Sequence, residues 1–339
     1  MKFGPVAVSA ALGSVLAHSV KLPDGSIKKG RRLGRPEISL LKMAGIETVV
    51  VAQLESGDVS EDEAAQRMAE VLAGLQVQIA DANTGRANLY SKHSGLVLID
   101  TARIDAMNAV HEGLTVATLR PFDLVADGTM LATIKIIPYA VPRTALEEVL
   151  EKAEAAVPAI SVAAFRGLSI GLIMTRLPDT RASVLAKMRT SVQKRLAPLV
   201  AQLSVETVIA HEASQLAAAI AAMAQRADVG AILVSGVAAT VDRADVVPAA
   251  IDAAGGKLLH VGMPVDPGNL LVLASLQRAD SRCMVIGMPT CARSPKLNGF
   301  DFVLRRLAAG VEISSADIMA MGVGGLLMEI PSRPMPRGS

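Results

Sequence analysis

Residues 231–247 read AILVSGVAATVDRADVV, and this stretch decides the fold. Ala231 to Val234 is a short apolar run that breaks at Ser235-Gly236 into a loop of small residues. Asp242 and Asp245 then precede a new stretch with apolar periodicity. The outline is a strand, a ligand loop and a helix start. In open α/β sheets, ligands sit where loops leave the carboxyl ends of strands, and a helix N-terminus there presents unpaired N–H groups to an anion.

Working outward, the same alternation extends on both sides. Strands are expected at Ser169 to Met174, Val205 to Ala210, Leu258 to Gly262, Leu270 to Leu273 and Met284 to Gly287. Helices are expected at Arg181 to Leu199, Ala213 to Arg226, Asp245 to Ala254 and Asn298 to Ala309. Strands alternating with helices imply an α/β domain whose largely parallel sheet is covered on both faces. We place this domain at residues 158–326, followed by a Pro- and Arg-rich tail or linker at 327–339.

Residues 1–157 read as an α+β region, divisible into two small subdomains. Pro5 to Val20 suits a strand or strand pair, and Leu22-Pro23-Asp24-Gly25 a turn. Pro36-Glu37 starts a helix that Gly45 closes before a strand at Thr48 to Ala52. Ser60 starts another helix, to Leu75, with Glu63 placed for a capping box. Asn83, Thr84, Gly85, Arg86 and Asn88 form either a polar pocket lining or a plain connecting loop. Strand Leu96 to Ile99, helix Ile104 to Val110, several strands over Leu114 to Tyr139 and a helix at Thr144 to Ala156 complete the region. The basic cluster Lys28, Lys29, Arg31 and Arg32 is read as a solvated turn, with anion binding as the rival.

Composition narrows the function. The chain has 339 residues, 51% hydrophobic and 19% charged, with a net charge of +2. Burial rather than disorder follows, and nothing demands a polyanionic partner. An aromatic content of 2% without Trp argues against single-stranded nucleic acid, where bases stack on aromatic rings, and no nucleic-acid partner is expected. No apolar run approaches the ~20 residues that span a bilayer, so no membrane is expected. The first residues, broken by Pro5 and Gly13, do not read as a secretory leader. Two cysteines, Cys283 and Cys291, fit a reducing cytoplasm. His93 and His111 lack neighbours at metal-ligand spacing. No GxGxxG follows a strand, which sets aside a dinucleotide-dependent oxidoreductase.

The second domain resembles the molybdopterin-binding domain of molybdenum-cofactor biosynthesis proteins. The resemblance rests on the order of GLIMTRLPDT (171–180), DVGAILVSGVAATVDRADVV (228–247), GMPVDPGN (262–269) and VIGMPTCARSPKLNGFDFVLRRL (285–307). In the first domain, KKGRRLGRPEISLLKMAGIETVVV (28–51) is similar to the segment leading to the pterin domain in the molybdenumtransferases. The resemblance implies a three-layer α/β domain, a pterin ligand, other molybdenum-cofactor proteins as partners and a homo-oligomer. Within the family it favours molybdate insertion over adenylyl transfer. The chain departs from the family where Gly-Gly becomes Ser235-Gly236-Val237-Ala238-Ala239-Thr240, Thr-Gly-Asp-Glu becomes Thr175-Arg176-Leu177-Pro178, Asp266 precedes Pro-Gly, and Pro289 to Pro295 replaces Pro-Gly-Asn-Pro. The ligand scaffold is kept and the catalytic loops are remodelled, so a non-catalytic pterin carrier working with a partner or fused nucleotidyltransferase is the alternative.

The candidate site follows from both lines. Ser235, Gly236 and Thr240 let backbone donors approach a phosphate, and Thr175, Pro267, Gly268 and Pro289 bound the pocket. Asp242 is read as a Mg²⁺ ligand and Asp245 as helix cap or second ligand, Mg²⁺ needing one or two carboxylates. Thr290, Arg293, Ser294, Lys296 and Asn298 gather donors for an oxyanion, with Asp242, Arg293 and Ser294 placed nearest the chemistry. Asn298 also suits a helix cap. Cys291 reads as a small loop residue, and Met263, Met284 and Met288 as core residues on strands.

Overall fold

The computed structural model describes residues 1–327. The tail expected at 327–339 therefore lies, from residue 328 on, outside the described residues. The chain divides into two compact units, one ending at Ala163 and the other beginning at Ala164.

The first unit is α+β. Its first 53 residues place Lys2–Ala7, Thr48–Gln53 and Val15–Leu16 in an antiparallel sheet with Thr48–Gln53 central. The helix Arg35–Met43 carries Pro36 near its start. Leu16, Leu33, Leu41 and Val51 fill the small core there. A second core gathers the helices Glu61–Leu72, Thr101–Asn108 and Arg143–Ala153 around largely antiparallel sheets. Ser60 caps the first of these helices, accepting the Glu63 amide at 3.4 Å, and the helix ends at Leu72 rather than Leu75. The strand Ile160–Ala164 joins the sheet of Gly95–Ile99, which carries the first unit to Ala163.

The polar stretch after Asp81 is a tight connecting turn. Asn83 and Arg86 pair across a two-residue turn in which Thr84 and Gly85 both have positive φ, 52° and 68°. Such a turn matches the twist of a hairpin, so Arg86–Ser91 continues as a strand paired to Val77–Ile79.

The second unit is the α/β domain. Its elements are β1 Ser169–Arg176, α1 Ala182–Leu196, β2 Gln202–Ala210, α2 Ala213–Ala224, β3 Ala231–Ser235 and α3 Val246–Ala253. These are followed by β4 Lys257–Val261, β5 Val272–Gln277, β6 Arg282–Gly287, α4 Gly299–Ala308 and the short α5 Ser315–Met319. The sheet order is β2-β1-β3-β6-β5-β4. β2, β1, β3 and β6 run parallel, and β5 pairs antiparallel with both β6 and β4.

Covered faces explain why the strands read as continuous apolar runs rather than alternating ones. Ile170, Leu172 and Met174 of β1, with Ala231 and Leu233 of β3, point into a core shared with α1 and α4. Ile173, Ile232 and Val234 point the other way, into a core shared with α2 and α3. Each fully buried aliphatic side chain contributes roughly 1.5–3 kcal/mol, so neither face can be left open. α5 was not expected from the sequence. Met263 and Met288 are buried but lie just beyond strand ends, whereas Met284 is on β6 as expected.

Candidate functional site

The connection from β1 leads to β2 on one side, while β3 lies on the other side of β1. Successive crossovers therefore diverge at the β1/β3 boundary, which opens a crevice at the carboxyl ends of these strands. Thr175 is the next-to-last residue of β1 there and Ser235 closes β3, both buried, Thr175 to 2% exposure. The Thr175 hydroxyl spans the crevice: it accepts the Val237 amide at 2.9 Å and lies 2.8 Å from His211 Nδ1. If Nδ1 is the unprotonated nitrogen, the hydroxyl donates to it while accepting from Val237.

The loop after β6 returns onto the loop after β3. Arg293 Nη2 donates to the Gly236 and Val237 carbonyls at 3.1 and 2.8 Å. Thr175, Ser235, Gly236, Val237 and Arg293 thereby enclose, with side chains of α1, a cavity of ≈ 10 Å³. That is room for about one water molecule.

A second cluster forms at the N-terminus of α4. Asn298 is the N-cap, its side-chain oxygen accepting the Phe300 amide at 3.1 Å, while Asp301 Oδ2 accepts the Asn298 amide at 2.8 Å. The Pro267 carbonyl accepts the Gly299 amide at 2.8 Å. Gly268 has φ +141°, and a Cβ there would meet the Gly299 nitrogen at 2.7 Å, so only glycine permits this approach. Pro267, Gly268 and Asn298 thus come together. Because Val272 at the start of β5 pairs with Gly287 at the end of β6, they lie on the same edge of the sheet as Thr175.

The Thr290–Asn298 loop is held from behind by a residue that sequence reading missed. Arg195 of α1, its side chain 7% exposed, donates through Nε to Asp301 Oδ1 at 2.7 Å. Through Nη2 it donates to the Ser294 and Lys296 carbonyls at 2.6 and 3.1 Å, and through Nη1 to Ser191 Oγ. Ser191 in turn donates to the Ala292 carbonyl at 3.0 Å. Burial pushes the Asp301 carboxyl above its ordinary range, and the Arg195 charge opposes that shift. Asn298-x-x-Asp301 is a capping-box spacing and was the one signal for Asp301. His211 and Arg195 carried none, since their partners are distant in sequence.

The aspartates stand differently. Asp245 caps α3, accepting the Val246 amide at 2.8 Å and the Val241 amide at 3.1 Å. Asp242, read as a metal ligand, accepts the Ala244 amide at 2.7 Å and closes a local turn. Neither lines the enclosed cavity, and Thr240 lies between them and Gly236, partly exposed. Among the described residues no three His, Cys, Asp or Glu side chains assemble into a metal-binding group. Pro289 is buried, and its carbonyl starts the 3₁₀ turn Thr290–Arg293 by accepting the Ala292 amide. Ser294 Oγ accepts the Lys296 amide at 3.4 Å. Cys291 is exposed and its sulfur accepts from Asn298 Nδ2 at 3.1 Å, whereas Cys283 is buried and its thiol is pushed up by burial.

Among the described residues no helix is long and apolar enough to cross a membrane. A family model described as a domain of unknown function, DUF8806, matches residues 5–53. No curated protein matches the chain. Among solved structures, a molybdenum cofactor biosynthesis protein from Pyrococcus furiosus is similar at 12% identity and a TM-score of 0.25, with 92% of this chain and 66% of that one covered. The chain thus spans just under two thirds of that protein's length, and a likeness this slight carries neither fold nor activity across.

Proposed function

We propose that the second unit binds molybdopterin, free or nucleotide-activated, and that the chain serves molybdenum-cofactor biosynthesis. One observation carries this reading. The segments that resemble the pterin-binding family, at 171–180, 228–247, 262–269 and 285–307, send their loops to one edge of one sheet. There Thr175 joins Val237, Arg293 joins Gly236, and Pro267 joins Gly299. Residues scattered over the sequence thus form the mouth of a crevice of the kind where α/β sheets bind ligands. The enclosed space beside Thr175 is ≈ 10 Å³, so the ligand lies over the loops, with no more than a small group reaching inward.

Binding is favoured over turnover because the polar groups best placed for chemistry are spent on structure. Arg293 braces two carbonyls, and Asp242 and Asp245 hold turns. Molybdate insertion, Mg²⁺ at Asp242 and Asp245, a cytoplasmic location, a homo-oligomer and association with other molybdenum-cofactor proteins are finer parts of the same reading. Calorimetry with molybdopterin and with molybdate tests it, using the wild type, Arg293→Ala and Asp242→Ala. We expect the wild type to bind the pterin and Arg293→Ala to bind it at least tenfold more weakly. A wild type that binds neither ligand overturns the reading.

A further inference from the structure

Between α1 and the Thr290–Asn298 loop runs an open groove of ≈ 350 Å³, walled by Lys187, Thr190, Ser191 and Lys194 on the helix and by Arg293 and Pro295 opposite. The helix positions repeat at three, four and seven residues, so they share one face. From Ala182 to Val205 the sequence contains no Asp or Glu, while Lys187, Arg189, Lys194 and Arg195 all fall within it. Two of these cations are matched: Arg189 forks onto Glu206, and Arg195 pairs with Asp301. The other two, Lys187 and Lys194, have no carboxylate partner among the described residues, and both face the groove.

The opposite wall adds a third cation. Arg293 commits only Nη2 to the Gly236 and Val237 carbonyls, and its remaining N–H groups have no acceptor among the described residues. The wall itself is stiff, because Ser191 and Arg195 anchor the carbonyls of Ala292, Ser294 and Lys296. Three cations around one concavity attract an anion and repel one another without it. Seven helical residues separate the lysine backbones by about 10 Å, which suits an elongated anion better than a single tetrahedral one. No aromatic side chain lines the groove, so bases of a nucleic acid would have no ring there to stack on.

We propose that this groove binds a diphosphate-bearing small molecule through Lys187, Lys194 and Arg293. The two lysines do not line the neighbouring crevice, so anion binding through them is separable from pterin binding, and Arg293 alone is common to both. Titration calorimetry of the full chain with inorganic pyrophosphate, and separately with inorganic phosphate, tests it at fixed low salt. The variants are Lys187→Ala/Lys194→Ala and, as a control on the same helix, Arg189→Ala. We expect pyrophosphate to bind the wild type at least tenfold more tightly than phosphate does, the double variant to lose at least tenfold, and the control to change less than twofold. The exposed lysines make no intramolecular ion pair among the described residues, so an unchanged thermal transition is expected for the double variant. The proposal falls if the wild type does not bind pyrophosphate, if phosphate binds as well, or if the control loses as much as the double variant. Loss of pterin binding with pyrophosphate binding intact would sink only the function proposed above.

Discussion

Replacing Arg195 by methionine removes the guanidinium that ties α1, the Thr290–Asn298 loop and the start of α4 together. The side chain is 7% exposed and its partner Asp301 9%. Its loss leaves the carboxylate with the Asn298 amide at 2.8 Å and the more distant charge of Arg305, and takes the Arg195 donor from the Ser294 and Lys296 carbonyls. Removing one member of a buried ion pair costs about 3–5 kcal/mol. Methionine keeps apolar contact where the guanidinium lies 6.0 Å from the Phe300 ring centre, and the freed carbonyls can reach water, so the lower end applies. A loss of about 3 kcal/mol corresponds to about 6–12 °C in the melting temperature of a domain this size. Calorimetric melts of the wild type, Arg195→Met, Asp301→Asn and the double variant supply the test. The double variant should be more stable than the summed single losses imply, by about 1–3 kcal/mol, because it leaves no unpaired charge. A single-variant loss below about 1 kcal/mol, or strict additivity, refutes the reasoning.

Two further outcomes follow from the same geometry. Thr175→Val keeps the shape but deprives the Val237 amide and His211 of their partner; it should cost about 1–3 kcal/mol in urea melts while Thr175→Ser stays near the wild type, and equal stability of the two would contradict the hydroxyl's role. Burial, helped by the charge of Arg243, holds the His260 imidazole below its ordinary value, while Nδ1 meets Ser315 Oγ at 2.8 Å. Below about pH 6.5 the unfolded chain therefore binds a proton that the folded chain does not, so stability should fall as pH drops through that range. His260→Gln should flatten that part of a pH series of melts, and an unchanged slope would rule out His260 as its source.

The α/β order of the second unit is legible in the sequence because local signals agree there. Apolar runs such as Ala231 to Val234 are bounded by Gly and Asp, and the strands and helices appear where periodicity puts them, within a few residues. Asp245 and Asn298 cap helices as their positions imply, since an N-cap depends only on the next turn of chain. The Asn83–Arg86 turn was less legible because a two-residue hairpin and a polar loop use the same residues, and only strand pairing separates them.

By itself, the sequence determined most of the strands, helices and caps of the second unit, and that chemistry-bearing loops recur after strands. The tertiary structure alone decided which of those loops meet and which polar groups remain free. Asp242 accepts the Ala244 amide two residues on, so the carboxylate read as a ligand also closes a turn. Arg195 and Asp301, 106 residues apart, became the brace of the candidate site. No local pattern encodes such a pair, because its energy comes from burial and from one side chain closing on partners that only the folded sheet brings within reach.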